Sequence, residues 1–127
     1  YISGDTWNVN PVALKRVEKL FCRNERAILE LQLPPAKTGD EPASILLVPV
    51  AAILVASIRL HALEYPLKLR YEGANHIPCS TQYERGEEMG YFEQGSTIIV
   101  LTGPELTLHP ALQEGQTIHM GEPVLNR

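Results

Sequence analysis

"SILLVPVAAILVASI", Ser44 to Ile58, carries no charged residue. A membrane-spanning helix needs roughly 20 apolar residues, and this run falls short of that. Pro49 interrupts it, and a proline inside a helix removes a backbone hydrogen bond and clashes with the turn before it. Arg59 and His61 follow at once. The run is rich in Ile, Val and Leu, the composition of a buried strand or strand pair. The largest apolar mass of the chain therefore reads as β structure.

Working outward, "RAILELQL" (Arg26 to Leu33) alternates as a strand does, and Pro34-Pro35 ends it. "KTGDEPA" is a polar loop. "STIIVLT" (Ser96 to Thr102) is another strand, and "TIHM" (Thr117 to Met120) and "PVLN" (Pro123 to Asn126) suggest two short ones. One helix is expected near the N-terminus, "NPVALKRVEKLF" (Asn10 to Phe21). Asn10 can cap it, Pro11 suits its first turn, and Val12, Leu14, Val17, Leu20 and Phe21 recur at three- and four-residue spacings. Glycine followed by a polar residue recurs at Gly4-Asp5, Gly86-Glu87 and Gly115-Gln116, as at the corners of quasi-repeated hairpins. The expectation is a mainly β chain forming a compact sandwich or barrel with one short helix.

At 127 residues, 44% of them apolar, the chain suits one domain, residues 1–127. A net charge of −4 argues against a general nucleic-acid surface, which needs clustered Lys and Arg. Cys22 and Cys79 are far apart and suit a reduced compartment. His61, His76, His109 and His119 are scattered and form no metal-ligand spacing, so surface or strand-end positions are expected for them. Glu87 and Glu88 are adjacent and would face opposite ways in a strand, a poor arrangement for joint acid-base work. "FCRNER" (Phe21 to Arg26) is either a solvated turn or a buried knot of Arg23, Asn24, Glu25 and Arg26, with an anion anchor as a third reading. The chain opens on Tyr1 with no basic and apolar leader, and a piece of something longer is expected.

"FEQGSTIIV" (Phe92 to Val100) admits two readings. The plain one is a turn into a strand. The other is chemical. The Ser96 hydroxyl could attack the carbonyl of Gly95, where no Cβ blocks the approach, and turn the amide into an ester. Removal of the Ser96 α-proton would then split the ester. Hydrolysis would leave a ketone at a new N-terminus, an electron sink for a substrate amine.

"YERGEEMGYFEQGSTIIVL" closely resembles the processing-site segment of the phosphatidylserine decarboxylases, Gly-Glu-x-x-Gly-x-Phe-x-x-Gly-Ser-Thr followed by aliphatics. Gly86, Glu87, Gly90, Phe92, Gly95, Ser96 and Thr97 match it. "YISGDTWNVNP" is similar to that family's Gly-x-x-x-x-Val-Asn stretch through Gly4, Val9 and Asn10. "LFCRNERAI" resembles its Phe-x-Arg-Asn-Glu-Arg stretch, and "HMGEPVL" its Met-Gly-x-Pro close. The four segments stand in the family's order and span nearly the whole chain. "VAAILVASI" (Val50 to Ile58) keeps Val50, Ala52, Val55, Ser57 and Ile58 of the family's apolar strand, but has Ala51 and Ala56 where the pattern has glycine.

The resemblance implies a pyruvoyl-dependent lyase that converts phosphatidylserine to phosphatidylethanolamine and carbon dioxide. Ser96 would be both self-cleavage nucleophile and pyruvoyl precursor, and Gly95 would supply the carbonyl attacked. The products would be a β-chain portion, 1–95, and an α-chain portion, 96–127, that stay paired. The pyruvoyl group would be the cofactor, with no metal and no pyridoxal phosphate. The resemblance further implies a fold similar to biotinyl/lipoyl-carrier sandwiches, peripheral association with the cytoplasmic face of a membrane, and a homodimer. The family's Asp and His, and its membrane-docking helices, lie upstream of the "YISGD" segment, and none of the four His has that context. The chain by itself is therefore expected to be inert. A non-catalytic carrier-like β module, and a lyase for another serine phospholipid, are the competing readings.

Overall fold

The computed structural model describes residues 1–53, 57–68 and 71–127. It is mainly β, in three small antiparallel sheets. The first has β1 (Leu29–Leu33), β2 (Ala43–Val50) and β6 (Thr97–Thr102), with β2 in the middle. The second places β3 (Ser57–Leu60) between β4 (Leu67–Lys68) and β5 (Gly90–Phe92). The third is β7 (Thr107–Leu108) with β8 (Leu125–Asn126). No barrel closes among the described residues.

The apolar run Ser44–Ile58 becomes two strands in different sheets. Paired residues share a face of a sheet. Register puts Leu29, Leu47 and Val100 side by side, then Leu31, Ile45 and Thr102, with Pro49 beside Ile98. That face carries the packing. At one end Ala43 and Ile45 meet Leu106, with Leu31, Leu33, Leu47 and Leu125 around them. At the other end Ala27 and Ala51 meet Ile58 and Leu67 of the second sheet, with Leu29, Leu60 and Phe92 packed on. The second and third sheets thus cover one face of the first, the layered arrangement expected of a sandwich. Ala51, one of the two alanines in place of a family glycine, is 3% exposed, and its methyl is part of this core. The other, Ala56, lies outside the described residues, as does Val55.

Pro49 also shapes the ladder. The Ala27 N–H donates to the Pro49 carbonyl at 3.1 Å, but proline has no N–H to return the bond. Beyond Leu29 the pairing of β1 with β2 thins to a single bridge, Arg26 with Val50.

The N-terminal helix is short, as expected, but it does not run on to Phe21 in one piece. Asn10 does cap it, its Oδ1 accepting the Ala13 N–H at 2.8 Å, and Pro11 is its first residue. It ends at Arg16, and a second helix, Leu20–Arg23, starts after Lys19, which adopts the left-handed conformation at φ 53°. The expected single helix over Asn10–Phe21 is corrected to two pieces. The first, α1 (Pro11–Arg16), buries no side chain, and without a packed face so short a helix has nothing to prolong it. The second, α2 (Leu20–Arg23), is anchored by buried Leu20.

Four turns share one construction: Lys37–Asp40, Glu84–Glu87, Gln113–Gln116 and His119–Glu122. In each, the third residue is a glycine at positive φ, between 78° and 96°. The fourth residue donates its N–H to the carbonyl of the first, and its side chain accepts the N–H of the first. Such turns are closed from both sides. The corners expected at Gly86 and Gly115 are of this kind. Gly4 is not: a Cβ there would strike the Arg23 carbonyl, so its glycine serves a close backbone approach. The last turn corrects the expected strand "TIHM". His119 directs both its N–H and its carbonyl to Glu122, leaving neither for a ladder, and β7 pairs instead with β8 inside "PVLN".

Candidate functional site

Ser96 stands one residue ahead of β6, where Thr97 pairs with Val50 at the end of β2. It is half-buried, and its hydroxyl donates to the Val50 carbonyl. Val50 is fully buried. A peptide carbonyl is too weak a base to take the hydroxyl proton, but it fixes the rotamer of Oγ.

What fixes Val50 is the "FCRNER" segment. The Ala51 N–H donates to the Glu25 carbonyl at 2.8 Å. The Asn24 Nδ2 donates to the Ala51 carbonyl at 2.8 Å and to the Trp7 carbonyl at 2.7 Å, while its Oδ1 accepts the Trp7 N–H at 2.9 Å. Asn24 is 0% exposed and Glu25 1%. The Tyr1 hydroxyl bonds to the Glu25 carboxylate, and burial, then the Glu25 charge and that bond, push the phenol far above the ordinary tyrosine range. Arg26 donates to the Cys22 and Asn24 carbonyls at 2.8 and 2.9 Å. Arg23 pairs with Asp5 at 3.0 Å and lies over the Trp7 ring. The expected knot is therefore buried at its centre, Asn24 and Glu25, while Arg23 is exposed and Arg26 partly so. The resemblance pointed to these residues, but sequence alone did not show that Asn24 would be a three-bond brace under Val50 and Ala51.

The upstream side of Ser96 belongs to the second sheet. β5 pairs with β3 through Ile58 with Phe92, Arg59 with Tyr91 and Leu60 with Gly90. Gly90 lets the strands close up, since a Cβ there would meet the Arg59 carbonyl. Arg59 Nε and Nη2 both reach Glu93 Oε1 at 3.3 Å. His61 Nε2 lies 2.8 Å from Glu88 Oε1, and its N–H donates to the Met89 carbonyl at 2.9 Å. Neither tie was legible beforehand, because the partners are far apart in sequence and meet only through the β3–β5 register.

Gly95 and Ser96 are thus the junction between two sheets. Gly95 is exposed, and a Cβ built on it would find no atom within 4 Å. Beside the junction, an apolar cleft of about 70 Å³ opens between the sheets, lined by Pro49, Ile58, Leu60, Phe92 and Ile98 among others.

The remaining candidates go elsewhere. Glu87 accepts the Glu84 N–H while Glu88 meets His61, so the two carboxylates do not act on one point. His61, His76 and His119 are exposed, and His109 sits at the end of β7. Among the described residues no three His, Cys, Asp or Glu side chains gather as metal ligands, and no helix is long and apolar enough to cross a membrane.

The chain can be set beside known proteins. The family model for phosphatidylserine decarboxylase matches residues 1–126. Proteins named phosphatidylserine decarboxylase proenzyme are similar along nearly all of it. That of Brevibacillus brevis is 28% identical over 130 residues, covering 100% of this chain and 44% of the relative. That of Anaeromyxobacter sp. is 33% identical over 126 residues, covering 98% and 43%. That of Pseudomonas entomophila is 35% identical over 130 residues, covering 96% and 42%. The chain therefore spans well under half the length of these relatives. No solved structure matches it significantly. By the match along residues 1–126, the chain belongs to the phosphatidylserine decarboxylase family.

Proposed function

We propose that this chain is the site-bearing part of a self-processing decarboxylase acting on phosphatidylserine at a membrane surface, with Ser96 as the residue that cuts the chain and becomes the pyruvoyl group. The observation that carries the reading is the junction: a serine hydroxyl held on a buried carbonyl, next to an exposed glycine, where the chain passes between sheets.

The steps need a base and one water, and they release ammonia. Ser96 Oγ adds to the Gly95 carbonyl carbon, the C–N bond breaks, and the freed nitrogen takes the hydroxyl proton, leaving an ester. A base removes the Ser96 α-proton, the Cβ–Oγ bond breaks, and the 1–95 portion leaves with a Gly95 carboxylate. Water then replaces the nitrogen of residue 96 with oxygen, releasing ammonia. The residues present fit this outcome. Val50 orients Oγ, Gly95 is exposed and has no Cβ, and the β2–β6 pairing would hold residue 96 in place after the cut. Once formed, the pyruvoyl group supplies an electron-withdrawing ketone that accepts the electron pair released when a bound amino acid loses its carboxylate. The Val50 carbonyl does not supply the base, so activation of Ser96 is assigned to a group outside its own hydrogen bond.

In the full-length parent, Ser96→Ala should abolish both scission and lipid decarboxylation. The check is a denaturing gel with an assay of phosphatidylethanolamine formed. A parent cut normally after this substitution would sink the reading.

A further inference from the structure

We propose that Arg59, through Glu93, is a positioning residue for the cut at Gly95–Ser96; the inference rests on the self-processing reading above. The two sides of the junction are held unequally. Downstream, six residue pairs lock β6 onto β2, and Ser96 bonds to Val50. Upstream, β5 has three pairs with β3, the last at Phe92. From Phe92 to Ser96 the chain must cross between sheets. Among the described residues, Glu93 makes the last side-chain tie before Gly95, through two guanidinium nitrogens of Arg59 on one carboxylate oxygen. Gly95 is exposed, and among the described residues none hydrogen-bonds to its backbone, so little around it fixes its carbonyl directly. Where that carbonyl stands is inherited from Glu93, and Glu93 is aimed by Arg59.

Arg59 is well placed to do this. Its own backbone pairs with Tyr91, and Gly90 brings β5 tight against its carbonyl. Two residues further along, His61 meets Glu88, so the β3–β5 pair is tied by side chains flanking β5 on both sides. The Arg59 and Glu93 side chains are 40% and 46% exposed. An ion pair so open to water contributes little to folding. A nucleophile and carbonyl, by contrast, react only when well aligned, and misplacement by about 1 Å can cost roughly 100-fold in rate. The pair should therefore matter to scission more than to stability.

The test is a charge exchange in the full-length parent. Arg59→Glu, Glu93→Arg and the double exchange are made by cell-free synthesis, and scission is followed over time on denaturing gels. Each single change should slow the cut about tenfold, with melting temperature and circular dichroism unchanged. The double exchange re-forms the pair with reversed charges and should return the rate to within about twofold of the parent. Three outcomes overturn the proposal: singles that cut at the parental rate, a double as slow as the singles, or melting temperatures that fall in step with the rates, which would make the pair merely structural. A parent that never cuts would instead remove the self-processing reading itself, and this proposal with it.

Discussion

At the scale of single residues, Asn24 shows how the site is supported. It bonds to Trp7 and Ala51 with both ends of its amide and is wholly enclosed. Truncating it strands the buried Ala51 carbonyl and the part-buried N–H and carbonyl of Trp7, and a buried polar group left unpaired costs about 1–3 kcal/mol. Asn24→Ala should therefore destabilise the fold by about 3 kcal/mol, measured by urea unfolding, and slow scission by loosening Val50. Tyr1 gives a pH signature. Its phenol is raised by burial first and then by Glu25. Tyr71 is raised too, chiefly by its hydrogen bond with Tyr65, and Tyr83 by burial and then Glu87. A group raised in the folded state contributes stability that is intact below its unfolded value and lost as pH climbs past it. For tyrosine that decline should begin near pH 10. Tyr1→Phe should flatten part of it in unfolding curves taken from neutral to alkaline pH. An unchanged alkaline limb would show that the phenol is not held as described.

At the scale of elements, sequence reading worked where one physical signal dominated. Alternation and β-branching placed β1, β2 and β6, because burial of one face leaves that imprint. Glycine before a polar residue marked the corners at Gly86 and Gly115, because positive φ nearly demands glycine. It failed where two signals competed. "NPVALKRVEKLF" has a helical cap and apolar spacing, but Lys19 turns left-handed and the helix breaks. "TIHM" looks like a strand, yet Glu122 reaches back to His119 and makes a turn. Ser96 and Gly95 were legible as candidates from chemistry and resemblance together. Their surroundings were not, since the Val50 carbonyl, the Asn24 brace and the Arg59–Glu93 tie all depend on register between strands distant in sequence.

At the scale of the molecule, the arrangement gives the junction a consequence. The sheet ahead of it and the sheet after it are separately paired, so a cut between Gly95 and Ser96 breaks no strand. The downstream portion keeps its hold through β6 on β2, through Leu106 in the core against Ala43 and Ile45, and through Leu125 beside them. The most direct measurement is intact mass with N-terminal sequencing of the full-length parent after expression. The account predicts two chains, the smaller beginning at residue 96, blocked to sequencing, and lighter by one ammonia than a chain beginning with serine. A single unbroken polypeptide, or a smaller chain with a free serine at its start, would contradict it.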